Sequence, residues 1–177
     1  MAQVVVNRAS FLTLWATVVA RRLGYKEDEA LTLGKALAGL TAETKRRRLG
    51  FYAADSAEQR SQPVWRREAQ SLGWAEFMGR RVPTLRTDDG LRAMSEAVPI
   101  DPDTVRQYLE SKFEGYLAQV EDKLTQLAAT YQPEELAFAA MSVYMELRPR
   151  VPSGTAGGGR KGALDLSAID RLVEQRR

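Results

Sequence analysis

SFLTLWATVVARRLGYKEDEALTLGKALAGLTAETKRRRLG, residues 10–50, decides how the rest of the chain is read. Ser10 offers a side-chain oxygen to the first free N–H groups of a helix. Phe11, Leu14, Trp15, Val18, Val19 and Leu23 then recur at the three- and four-residue steps of one helix face. Gly24 follows the last of them, where a left-handed closing residue is wanted. Glu27, Asp28 and Glu29 suit the positive end of a second helix. That helix carries Leu31 and Leu37, and Gly34, Ala38 and Ala42 form a smooth ridge against which another helix can lie closely. It ends in the basic turn Lys45-Arg46-Arg47-Arg48, with Gly50 beyond. The stretch predicts a packed helical hairpin.

Downstream, Asp101 with Pro102 behind it opens a helix. Val105, Leu109, Phe113, Tyr116, Val120, Leu124, Leu127 and Tyr131 step by three and four, one apolar stripe along residues 102–131. This predicts a long helix, bent at Gly115, that serves as a spine or as a homodimer interface. Gln132-Pro133-Glu134-Glu135 opens another, with Leu136, Ala140, Met141, Tyr144 and Leu147 inside and Pro149 as its stop. It is expected to fold back on the long helix. Between the two helical sections, Pro63 opens a short helix over Val64–Leu72. Trp74–Met78 and Arg81–Arg86 then read as a β-hairpin turning at Gly79-Arg80, with Pro83 demanding an edge. Asp88-Asp89-Gly90 is a turn, and Leu91–Ala97 reads as one or two helical turns. Gly157–Gly162 reads as a basic linker before a short helix capped by Ser167. The expected fold class is mainly α, a helical bundle with a small β-hairpin and a long C-terminal-half helix. The expected segments are 1–97, basic and helical with the hairpin; 98–149, the long helical hairpin packed on it; and 150–177, a Gly-rich tail.

The chain has 177 residues with no cysteine and no histidine. Disulfides, thiolate or imidazole metal sites, and Ser-His-Asp or Cys-His catalysis are therefore excluded. The acidic pairs Glu27-Asp28, Asp88-Asp89, Glu121-Asp122 and Glu134-Glu135 are sequence neighbours. Neighbours on a helix diverge by about 100°, so they do not converge on one substrate. No catalytic residue, metal site or cofactor is expected. Gly157-Gly158-Gly159-Arg160-Lys161 lacks the Lys-Ser/Thr order of a nucleotide loop. Met1–Val6 has no leading charge, and Phe11–Ala20 is too short to span a bilayer, so a cytoplasmic protein without a membrane partner is expected.

Charge is segregated. Residues 1–92 hold 16 basic and 10 acidic side chains, residues 93–147 hold 3 and 10, and residues 148–177 hold 7 and 3. Such separation concerns partners rather than fold. The basic front suits phosphates; equally, the acidic section can neutralise it within the fold or across a dimer. Gly39-Leu40-Thr41 followed by Glu43-Thr44 resembles the turn and second-helix start of a helix-turn-helix unit, whose second helix reads the major groove. In this register Thr44, Lys45, Arg47 or Arg48 stand where seating apolar residues belong, and one continuous helix through Gly39 is the competing reading. Helices followed by a basic-tipped hairpin also resemble a winged-helix arrangement. That resemblance implies contacts to bases or phosphates from Arg66, Arg67 and Gln70, and to phosphates from Arg80 and Arg81, alongside Lys45, Arg46, Arg47 and Arg48. The function expected is a DNA-binding protein on duplex DNA, a dimeric transcriptional regulator; the alternative is a helical interaction or scaffold module without nucleic-acid binding.

Overall fold

The computed structural model describes residues 4–48, 72–152 and 160–177. Within them the chain is mainly helical, with small antiparallel sheets. The order is β1 (Val4–Asn7), α1 (Arg8–Arg22), α2 (Glu27–Arg48), β2 (Leu72–Phe77), β3 (Arg80–Thr87), β4 (Gly90–Ser95) and β5 (Val98–Pro99). There follow α3 (Pro102–Phe113), a 3-10 turn (Glu114–Tyr116), α4 (Leu117–Ala129), α5 (Pro133–Leu147), β6 (Lys161–Leu164) and α6 (Leu166–Arg176).

Helix α1 is the centre. Every residue from Ser10 to Ala20 is buried, so it is enclosed on all sides rather than on one face. Helices α2, α3, α4 and α5 all touch it. Buried polar side chains at its centre find partners within this shell. Thr17 donates to the Thr13 carbonyl at 2.7 Å, and the Trp15 indole donates to the Ala140 carbonyl on α5 at 2.9 Å. Burial of each large apolar side chain such as Phe11 or Trp15 contributes roughly 1.5–3 kcal/mol. The N-cap is Asn7, whose side chain accepts from the Ser10 backbone N–H at 2.7 Å. Ser10, expected as the cap, instead lies in the first turn. Its buried hydroxyl meets both Asn7 and the Tyr108 hydroxyl, the latter at 3.0 Å.

The hairpin α1–α2 forms as the sequence predicts. Gly24 closes α1 at φ 106°. A Cβ on Gly34 would lie 2.6 Å from the Thr13 carbonyl and 3.0 Å from the Thr17 nitrogen, which shows how closely the two helices approach. Helix α2 runs without interruption through Gly39-Leu40-Thr41 to Arg48. The helix-turn-helix register proposed there is therefore corrected: no turn separates two helices at that point.

The hairpin expected over 74–86 belongs to a four-stranded antiparallel sheet, order β2-β3-β4-β5. Its turn is Met78-Gly79, at φ 50° and 80°, one residue earlier than expected. Positive φ at both positions matches the right-handed twist of the strands. Pro83 does not sit in an edge strand, because β3 pairs with both β2 and β4. The pairing to β4 begins at Thr84, however, so Pro83 faces only Trp74. A residue without an N–H is tolerated there because the ladder on its other side has ended. Leu91–Ala97, expected as helix, is strand β4 and its following turn. Two side chains of α2 secure it. Glu29 accepts from the Leu91 N–H at 2.9 Å, and Thr32 accepts from the Ala93 N–H at 3.0 Å. These helix-borne acceptors take the place of a neighbouring strand, which satisfies an otherwise open edge.

Residues 102–131 are not one long helix. Asp101 caps α3 and Pro102 opens it as predicted. At Glu114 the backbone reaches φ 52°, ψ −133°, and a 3-10 turn leads into α4. Most of the apolar stripe is used inside the chain: Val105, Leu109, Phe113, Val120, Leu124, Leu127 and Tyr131 are buried in the common core, whereas Tyr116 is exposed. Those buried positions pack within the chain itself. Helix α5 packs chiefly on α1, not back on α4, and buries Leu136, Ala140, Val143, Tyr144 and Leu147.

The tail returns to the body. Strand β6 pairs antiparallel with β1, Val4 opposite Leu164 and Asn7 opposite Lys161. On its other side Ala163 exchanges backbone hydrogen bonds with Arg150 at 2.9 and 3.2 Å. Lys161 and Gly162, expected in a linker, are thus paired strand. A Cβ on Gly162 would lie 2.5 Å from the Arg150 carbonyl. Helix α6 is capped by Asp165 rather than Ser167. It docks on α4 through Lys123–Asp170 at 2.7 Å, and Arg176 reaches Glu135 at 2.6 Å and covers the Tyr131 ring.

Candidate nucleic-acid interface

The β2–β3 hairpin presents one face to solvent. Strand alternation places Trp74, Glu76, Arg81 and Pro83 on it, through the cross-strand pairs Trp74–Pro83 and Glu76–Arg81. Trp74 is 62% exposed. Arg81, its diagonal neighbour, holds its guanidinium 4.9 Å from the indole centroid. The opposite face, with Val82 and Ala93 fully buried, turns to the core. Arg80 is the first residue of β3, opposite Phe77, and partly buried.

Register places this hairpin relative to α2. The Glu29–Leu91 and Thr32–Ala93 bonds make α2 and β4 run in the same direction. Strand β3 runs the other way, with Thr84 opposite Ala93. Arg80 lies about 13 Å beyond Thr84 along the strand, or about nine helical residues past Thr32. The hairpin tip therefore points toward the C-terminal end of α2, whose last residues are Lys45, Arg46, Arg47 and Arg48. Arg80 and Arg81 lie at the hairpin tip, and Lys45, Arg46, Arg47 and Arg48 are the last residues of α2. Arg66, Arg67 and Gln70 lie outside the described residues, as does the short helix expected to carry them.

Sequence reasoning did not single out Trp74 as a site residue. The available signal was the alternation in Leu72–Phe77, which sets Trp74 on the same side as Glu76 rather than with the core residue Phe77.

A second polar group was also missed. Lys35 on α2 sits with its ammonium 3.6 Å from the Tyr108 ring centroid, and Lys112 approaches the same ring at 5.8 Å. Burial first, and the charge of Lys112 second, push the Lys35 pKa down. Tyr108 continues to Ser10 and Asn7, so the group forms a seam joining α1, α2 and α3. No ion pair to Lys35 is formed among the described residues. This arrangement packs a cation on an aromatic face.

Among the described residues no three acidic side chains are grouped to hold a metal ion, and no helix is long and apolar enough to cross a membrane. No family model matches the chain, and no curated protein and no solved structure matches it.

Proposed function

We propose that this chain is a DNA-binding protein whose contact surface is the open face of the β2–β3 hairpin together with the basic last turn of α2. The observation that carries the proposal is the exposed Trp74 with Arg81 laid against it. An exposed indole offers a platform on which a base stacks, worth roughly 1–3 kcal/mol. The guanidinium beside it can bind phosphate through two N–H groups. Helix α2 is continuous, so it contributes its basic end rather than a separate recognition helix. Contacts of this kind favour backbone and stacking interactions over base-edge readout.

The test is fluorescence anisotropy with labelled duplex and single-stranded DNA of one sequence across a salt series. The expected result is binding that weakens steeply with salt, because neutralised phosphates release counterions. Arg81→Ala should lower the salt slope by about one, as loss of one phosphate contact requires. Trp74→Ala should weaken binding about tenfold or more, most for the single strand. No binding at low salt, or binding indifferent to both substitutions, overturns the proposal. The alternative of an interaction module without nucleic-acid binding predicts that flat result, and the outer face of α5 speaks for it.

A further inference from the structure

Helix α5 is apolar on two sides. Its inner side packs on α1, yet Phe138 is 92% exposed and Met145 is 50% exposed. With Ser142 exposed and Met141 half-buried against the core at the edge of this face, these residues stand at i, i+3, i+4 and i+7. A helix apolar on both sides is normally enclosed, and α5 is enclosed on one side only. Its sequence, PEELAFAAMSVYMEL, holds three acidic residues and no basic one. Immediately after it come Arg148 and Arg150.

We infer that this face is a homodimer contact, occupied by α5 of a second copy of the chain in antiparallel orientation. The residues match themselves across a two-fold axis, as an isologous contact requires. With the axis between Met141 and Ser142, Phe138 of one copy meets Met145 of the other. Met141 meets Ser142, and both relations repeat by symmetry. The same axis sets Glu134 against the Arg148–Arg150 segment of the second copy, at both ends of the contact. Glu134 and Arg148 form no salt bridge among the described residues. A parallel pairing would instead bring Glu134, Glu135 and Glu146 against their own copies, where like charges repel. The inference is independent of DNA binding. It places the dimer contact on α5 rather than on residues 102–131, most of whose stripe packs in the core.

The experiment is sedimentation velocity on the full chain over a wide concentration range, without nucleic acid. Self-association is expected in the wild type, weakened at least tenfold by Phe138→Ser. At concentrations where the wild type is monomeric the thermal midpoint should not change, since that side chain is exposed in the monomer. Glu134→Arg and Arg148→Glu should each weaken the dimer, and the double reversal should restore it. A monomer at every concentration overturns the inference, as does a dimer indifferent to Phe138→Ser. Failure of the double reversal to rescue overturns the two-fold register.

Discussion

Substituting alanine at two glycines of α2 should move stability in opposite directions. Gly39 is exposed, and a Cβ added there meets nothing within 4 Å. Glycine inside a helix is roughly 0.8–1 kcal/mol less favourable than alanine, so Gly39→Ala should stabilise the chain by up to that amount. The same gain applies at Gly34, but the new Cβ would lie 2.6 Å from the Thr13 carbonyl and also press on Thr17. The obstacle is backbone at the centre of a buried helix, so no side-chain rotation relieves it. Overpacking costs about 1–3 kcal/mol when side chains can yield, and more when two helix axes must separate. A net loss of about 2 kcal/mol is expected for Gly34→Ala. Urea unfolding followed by circular dichroism reads both as shifts of the midpoint with an unchanged slope. A neutral or stabilising Gly34→Ala would refute the close approach of α1 and α2. A strongly destabilising Gly39→Ala would refute the continuous helix and return a turn to residues 39–41.

Two further outcomes follow from single contacts. Burial opposes ionisation of Glu29, but the backbone N–H groups of Lys26 and Leu91 and the charges of Lys26 and Arg86 outweigh it and hold the carboxyl below its ordinary value of 4.5. A carboxyl depressed in the folded state stabilises above its unfolded pKa, and the effect is lost as pH falls through the folded value. Glu29→Gln should therefore cost about 1 kcal/mol near neutral pH, with the gap to wild type closing in acid; a gap that stays constant down to acid unfolding would exclude the carboxylate as its source. The turn between β4 and β5 places Glu96 and Ala97 at φ 49° and 67°. Replacing them with Asn-Gly should raise stability by about 1 kcal/mol in thermal unfolding, because a side chain at left-handed φ is strained; no gain would mean that the turn is not of this form in solution.

The sequence by itself determined the local elements wherever a residue's own chemistry suffices. Gly24 as the close of α1, the acidic start of α2, the Asp101-Pro102 opening of α3 and the Asp88-Asp89-Gly90 turn all follow from backbone freedom, capping and helix polarity. Apolar spacing also picked out most of the core residues of α1, α3 and α4. It did not show how many neighbours a face has, because three- and four-residue steps mark a buried side without saying what buries it. That is why α1 reads as one-sided yet is enclosed all round, and why the 102–131 stripe reads as a spine without revealing that the chain packs most of it internally. Strand β4 was missed for a related reason. Its N–H groups are satisfied by Glu29 and Thr32, about 60 residues upstream, and no local pattern encodes a partner that distant. The candidate interface divides in the same way. The basic residues are legible one by one, but only tertiary structure packs the sheet on α2, lays Arg81 on Trp74, and leaves Phe138 outside the core.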